Sequence, residues 1–271
     1  MGDGYVFGRG IRRGAPQNEG RAAYLLKKMA NITRVWKRAM FVGCSHGVHA
    51  DPTAIEAVLK FRKAWRPNYS VHLGDFMDTA AFRSGAKGST DESEPIAPDV
   101  DAGLRFLEQM ECTHVLCGNH EQRVFDLRFS NSAIIAACAD EVVRGIQQKC
   151  KRLKASLHEY TGVWQEVRLG PVRAMHGVFF GENAIRDHAE SFGMVVHAHT
   201  HRAGVAKGRT SENPTGWCTG TLTQVENMDY AARRRATLAW SQGFVWGEIA
   251  DDKAVLWLHE NPRGAEWRIP I

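Results

Sequence analysis

No apolar run among the 271 residues approaches the ~20 needed to cross a bilayer, so the sequence predicts no membrane span. Basic residues stand near the N-terminus, but no continuous apolar stretch follows them, and no secretory leader is expected. CxxC pairs are absent: Cys44, Cys112, Cys117, Cys138, Cys150 and Cys218 are scattered through predicted strands and helices. That spacing excludes a disulfide scaffold and points to reduced, buried thiols in a cytoplasmic protein. Nor does a Pro/Gly/Ser linker or an internal repeat divide the chain, and 44% apolar residues are ample for a large core. A single domain over residues 39–271 is therefore expected, preceded by an arm at 1–38.

The formal charge of +5 is concentrated in that arm. Residues 1–38 hold Arg9, Arg12, Arg13, Arg21, Lys27, Lys28, Arg34, Lys37 and Arg38 against Asp3 and Glu19, which places +7 there and leaves −2 elsewhere. Such an arm suits a polyanion such as nucleic acid, or else forms a solvated terminal helix. Within it, Ala22, Leu25, Leu26 and Met29 have helical spacing, whereas residues 1–17 are Gly- and Arg-rich without a pattern.

Short apolar runs at 39–43, 69–73 and 113–117 read as strands. Asp51 as N-cap and Pro52 at the first helical position open a helix over Pro52–Trp65. Residues 99–109, 122–128 and 133–153 also read as helices. The polar, aperiodic stretch 84–98 reads as a long loop, of the kind that often serves as a lid. Beyond it, strands are expected at 156–160, 163–169 and 172–176, with turns at Thr161-Gly162 and Gly170-Pro171. A helix at 182–192, a strand at 194–197 and β-prone runs at 243–249 and 254–259 follow. A parallel βαβ half followed by a β-rich half implies an α/β fold with two packed mixed sheets flanked by helices.

Two stretches carry the chemistry. Gly74-Asp75-Phe76-Met77-Asp78 and Gly118-Asn119-His120-Glu121 each follow a predicted strand. Each therefore sets oxygen and nitrogen ligands just past a strand's C-terminal end, where open α/β sheets bind ligands. Carboxylate, carboxamide and imidazole at neighbouring loop ends suit a hard or borderline divalent cation.

With Cys44-x-His46, His176-Gly177 and His199-x-His201, these make five clusters in order. The series resembles the calcineurin-like metallophosphoesterase family, with its DxH, GDxxD, GNH(D/E), GH and GHxH signatures, over roughly residues 41–201. The resemblance implies a four-layer sandwich and two divalent metal ions (manganese, iron or zinc) bridged by Asp75. His46 and His201 would complete the first metal site, with Cys44 where the family has Asp. Asn119, His176 and His199 would complete the second, and His120 would be the catalytic histidine, oriented by Asp78. Two cations ~3.5–4 Å apart can clamp the oxygens of an in-line displacement and acidify a water. Two positions depart from the family: Ala198 replaces Gly before HxH, and Cys44 replaces Asp. A thiolate ligand biases the first site toward zinc or iron; the other reading is that the sulfur does not ligate.

The expected activity is hydrolysis of phosphate mono- or diesters through a dinuclear centre and a metal-activated water. The alternatives are a nuclease acting on DNA, as in compact bacterial and phage members that the chain resembles, and a metal-binding protein that has lost turnover. Arg83 and Arg123 are candidates for forking onto a substrate phosphate, with surface salt bridges as the other reading. His197 is expected in the core. His49, His72, His114, His158, His188 and His259 have no partner pattern and are expected to be structural or exposed. Trp217, Trp240, Trp246 and Trp257 are expected to pack the second sheet.

Overall fold

Alternation along the first strand sets the layers. The computed structural model describes residues 34–160, 165–224, 235–262 and 264–270. The expectations for the arm before residue 34 and for the Thr161-Gly162 turn lie outside these residues. In β1 (Lys37–Val42), Ala39 and Phe41 point one way and Met40 and Val42 the other, and all four are buried. A strand covered on both faces must be apolar on both, which is why this run shows no polar alternation.

Residues Trp36–Ile271 form one unit. The first sheet contains β1, β2 (Tyr69–His72), β3 (His114–Leu116), β4 (Ser156–His158), β10 (Gln242–Ile249) and β11 (Ala254–Asn261), in the order β11-β10-β1-β2-β3-β4. β1 to β4 run parallel, while β10 is antiparallel to β1 and β11 to β10. The second sheet contains β5 (Val167–Leu169), β6 (Val172–Ala174), β7 (Val195–His197), β8 (Gly204–Lys207) and β9 (Thr215–Cys218), in the order β5-β6-β7-β9-β8. Its centre, β6-β7-β9, is parallel and its two edges are antiparallel.

Two buried clusters separate the layers. Ala39, Phe41 and Leu116 of the first sheet, with Leu73 just past β2, meet Val167, Val172, Val196 and Trp217 of the second. On the other side, Met40, Val42 and Val115 pack with side chains of α1 (Pro52–Trp65), α2 (Ile96–Gln109), α3 (Asn119–Leu127) and α4 (Ala133–Leu153). Val58, Phe61, Phe106, Val124 and Ile146 supply much of that cluster. α5 (Ala184–Phe192) covers the second sheet through Ala189 and Phe192, against Met175 and Val195. The order helix, sheet, sheet, helix is the four-layer arrangement expected from the sequence.

Four expectations change. The loop at 84–98 ends earlier, because α2 begins at Ile96 and Pro98 sits in its first turn, where a missing N–H costs nothing. Within that stretch, Thr90–Ser93 forms a 3-10 turn. Asn119, His120 and Glu121 lie in the first turn of α3 and not on a loop: the Glu121 carboxylate accepts the Gly118 N–H at 2.7 Å and starts the helix early. The two halves do not make the two sheets, since β4 and the C-terminal strands β10 and β11 join the first. Trp246 and Trp257 therefore pack in the first sheet, where Trp246 meets Phe61 and Trp65 of α1.

The sheets approach closely where β1 ends. A Cβ on Gly43 would lie 2.6 Å from the Cβ of Ala198. The Ala198 methyl group is thus accommodated by the missing side chain across the interface. Gly43→Ala should lower stability by about 1–3 kcal/mol through overpacking, read from the urea midpoint. Ala198→Gly in the same chain should recover most of that loss, because the two positions share one contact. Equal midpoints for the single and double variants would show that they do not.

Candidate metal centre

Five strands end at one place. Cys44 and His46 follow β1, Asp75 and Asp78 follow β2, Asn119 and His120 follow β3, His176 follows β6, and His199 and His201 follow β7. Cys44, His46, Asp75, His199 and His201 all have left-handed backbone, with φ between 50° and 65°. Each such residue costs about 1–3 kcal/mol and persists only where its surroundings hold it. Here the first loop is laced to the second: Cys44 N–H donates to Gly74 O (2.9 Å), His46 N–H to Asp75 O (3.0 Å) and Gly47 N–H to Phe76 O (3.0 Å).

Asp75 is common to two donor clusters. Its carboxylate, Cys44 Sγ and ring nitrogens of His46 and His201 lie within 4.8 Å of one another, as do Asp75, His176 and His199. Asn119 Oδ1 is 3.1 Å from His176 Nε2, which is 3.2 Å from both His199 Nδ1 and Asp75 Oδ2. All seven residues assigned as ligands from the sequence are thus brought together. Asp75 sits so close to Gly118 that a Cβ there would meet Asp75 Oδ1 at 2.1 Å.

Hydrogen bonding favours the ligating tautomers. His46 Nδ1 donates to Asp78 Oδ1 (2.8 Å) and His176 Nδ1 to the Leu73 carbonyl (2.9 Å), which leaves each Nε2 lone pair facing inward. His46 Nε2 then faces His201 Nε2 at 3.1 Å. Among the described residues Asp75 pairs with His46 and His176 but with no Lys or Arg. Converging lone pairs around a buried carboxylate form a donor set that fits a cation.

Burial dominates the titrations. It holds the His199 imidazole down to about 4 and His201 well below its ordinary range, so both are neutral. It also acts to raise Asp75, but the neighbouring His176, His120 and His46 outweigh it and hold the carboxyl well below the usual range. For His176 burial acts downward, and the Asp75 charge and hydrogen bond overcome it to leave the group raised. Burial, and after it the Asp75 charge, push the Cys44 thiol well up, while the His199 N–H points at its sulfur from 3.3 Å.

His120 lies beside both clusters. Its N–H donates to Asp75 Oδ1 (3.0 Å), and its Nδ1 is 2.6 Å from the Asp78 carbonyl and 3.3 Å from Asp78 Oδ1. The Asp78 carboxylate is closer to His46 than to His120, so it serves a candidate ligand at least as directly as the candidate catalytic histidine. Arg83 is in an ion pair with Asp91, and Arg123 reaches the Thr79 carbonyl at 3.5 Å.

Several supporting residues carried no assigned role. Glu121 is buried, and its carboxylate accepts from Asp75 N–H (2.8 Å), Met77 N–H (3.0 Å) and Gly118 N–H (2.7 Å). Its place in the GNHE cluster was the one signal. Asp99 accepts from Val48, Asp78 and Thr79, partners too distant in sequence to show a pattern. His49, expected to be structural or exposed, has its Nε2 3.4 Å from Glu94 and 3.9 Å from Asp78. His188 Nε2 accepts the Val178 N–H at 2.9 Å and braces the loop after His176, and its ring stacks on that of buried His197. Trp240 packs edge-on against His201.

No family model matches the chain. A curated relative, the gene 54 protein of Mycobacterium phage D29, is 30% identical over 112 residues, which cover 39% of this chain and 44% of the relative. The chain thus matches less than half the length of that protein. Similar solved structures include an archaeal phosphodiesterase, at 9% identity over 82% of this chain and 99% of that one, with a TM-score of 0.43. Another is Yfce, a phosphoesterase from E. coli, at 19% identity over 81% of this chain and 98% of that one, with a TM-score of 0.38. No helix among the described residues is long and apolar enough to cross a membrane.

Three buried imidazoles outside the donor set fix a pH dependence. Burial holds His72 down to about 3, His188 to about 4 and His197 well below 6.5. Folded values below the unfolded one mean that the unfolded chain binds protons first as pH falls. Their contribution is present above pH 6.5 and is lost progressively as pH falls toward their folded values. Glu121 runs the other way: burial, then Asp75, raise it from 4.5 to about 7, so its contribution is present below 4.5 and lost as pH rises through 7. His199 and His201, likewise depressed, add to the three, and raised His176 joins Glu121 against them, so the depressed imidazoles outnumber the raised groups. Chelator-treated protein should therefore lose stability between pH 6.5 and 5, by up to about 1.4 kcal/mol per pH unit for each net proton taken up. Urea unfolding at pH 7.5, 6.5 and 5.5 checks this, and a flat or rising profile would exclude neutral buried imidazoles.

Proposed function

We propose that the protein is a metal-dependent phosphoesterase that hydrolyses phosphate mono- or diesters at a dinuclear centre. The observation that carries this reading is one buried carboxylate, Asp75, shared by two imidazole-rich donor clusters, with His120 beside them. Cys44, His46, Asp75 and His201 would hold one cation, and Asp75, Asn119, His176 and His199 the other. Bound there, a pair of divalent cations supplies Lewis acidity and an acidified water, the help that phosphoester cleavage needs most.

The chain's own residues do the rest. Asp78 fixes the tautomer of His46 through the 2.8 Å bond to Nδ1. The Asp78 carbonyl takes the His120 Nδ1–H, which leaves Nε2 as the atom available to exchange a proton with a leaving oxygen. Arg123, half-buried one turn along α3 from His120, is the candidate for a phosphate oxygen; Arg83 is engaged with Asp91. Burial favours the protonated Cys44 thiol, so sulfur joins the donor set only where a cation displaces its proton.

Reconstitution tests the proposal. The chelator-treated protein, loaded separately with manganese, zinc, iron or nickel, should hydrolyse p-nitrophenyl phosphate or its bis-ester. Asp75→Asn should abolish turnover and lower bound metal at both clusters together; two tightly bound metals in that variant would sink the shared-carboxylate assignment. His120→Ala should keep its metal and lose about 10²–10⁴-fold in turnover, less with an aryl leaving group that needs no proton. Cys44→Asp should shift metal preference from zinc or iron toward manganese, and Cys44→Ser should weaken the first cluster alone. Identical metal titrations for Cys, Ser and Asp at position 44 would exclude thiolate ligation.

A further inference from the structure

The loops after β1 and β2 are tied to one another by a side chain that hydrogen-bonds to none of the candidate ligands. Asp99, in the first turn of α2, is 4% exposed. Its Oδ2 accepts two consecutive N–H groups, from Asp78 (3.0 Å) and Thr79 (2.8 Å), and its Oδ1 accepts that of Val48 (3.2 Å). An acid in the first turn of a helix ordinarily serves that helix's own free N–H groups. This one spends its acceptors on two loops, at positions 20 and 21 residues away and 51 residues away. Gly47 is pressed so near that a Cβ there would fall 1.9 Å from Asp99 Oδ1, and Thr79 is held with a left-handed φ of 50°.

From these contacts we infer that Asp99 is a positioning residue for the metal centre and its proton donor, an inference that rests on the proposed phosphoesterase reading. Val48 lies two residues past His46, so one carboxylate carries both the His46 loop and the Asp78 loop. Their separation sets the 2.8 Å bond from His46 Nδ1 to Asp78 Oδ1, which aims His46 Nε2 inward. The same placement of Asp78 presents its carbonyl to His120 Nδ1. Glu121 secures a different set of amides, those of Asp75, Met77 and Gly118. Losing Asp99 therefore releases the His46–Asp78–His120 side and leaves the His176–His199 side braced.

Asp99→Asn is the test, since it keeps the shape but turns one acceptor into a donor that opposes a backbone N–H. In metal-free protein, amide exchange at Val48, or at Asp78 and Thr79, should quicken by about tenfold, the loss of one charge-assisted hydrogen bond. Val71 and Val115 in the neighbouring strands should be unchanged. In metal titrations, affinity at the His46–His201 cluster should fall by about 10–100-fold while the His176–His199 cluster stays near wild type. A lower unfolding temperature with unchanged amide exchange, or equal weakening of both clusters, would overturn the inference and leave Asp99 a purely structural residue. Asp99→Glu keeps the charge but displaces it by one methylene, and serves the same comparison should Asp99→Asn fail to fold. If wild-type protein binds no metal, the phosphoesterase reading fails by itself, and the metal-free amide exchange still decides whether Asp99 holds the loops.

Discussion

A carboxylate with almost no access to water stands at the seam between two sheets, and the surrounding groups are arranged to make that tolerable. An isolated buried ion costs several kcal/mol even after relaxation, more than most single interactions return. Asp75 meets the cost with the His120 N–H, with His46 brought by the first sheet and with His176 brought by the second. The aliphatic contact between the sheets is therefore inseparable from the electrostatics at its edge. Pulling the sheets apart would strip the carboxylate of His176, one of these three partners. A cation bound only by the folded state would add its binding free energy to stability through mass action.

Strain is the second cost. Five left-handed residues at about 1–3 kcal/mol each approach the whole stability of an ordinary domain, about 5–15 kcal/mol. They are sustained by backbone ties on the strained residues themselves. Cys44 O, for instance, accepts from Leu222 N–H and from Thr221 Oγ1, while its own N–H is held by Gly74 O. Glu121 and Asp99 share the loop after β2 and extend to those after β3 and β1 respectively, each converting one buried side chain into three backbone hydrogen bonds. Such acceptors are costly to bury unpaired, which makes them effective as fixed points when every lone pair is used.

What the sequence revealed depended on how local the deciding interaction is. The helix Pro52–Trp65 could be placed to the residue because Asp51 caps the amide two positions on, and Ala133–Leu153 because its apolar pattern is long; Ser132, which caps the amide three positions on, fixes its start in the structure. The start of α3 was misplaced because Glu121 looks like a site residue and acts as a helix-starting one. β8 and β9, four residues each, carry no alternation strong enough to detect. The return of β10 to β1 depends on pairing across two hundred residues, which no window contains. In the site the same division holds: the motif clusters were legible as donors, whereas the Asp78–His46 bond, the Arg83–Asp91 pair, Asp99 and the His188 brace join segments that the chain brings together only on folding.

That return of β10 also orders events during synthesis. β1 carries Cys44 and His46 at its end, and the ribosome finishes it almost two hundred residues before the strand that covers its outer flank, with Phe41 awaiting Val245 and Lys37 awaiting Ile249. Until then the first sheet ends in an open edge of apolar residues, the kind of edge that pairs with other chains. Pairings so distant in sequence form slowly, because the loop must close before any contact rewards it. The strand that leads into the first donor cluster is therefore also the one long exposed to misassembly, and the C-terminal hairpin β10–β11 acts as the closing seam of the nascent protein.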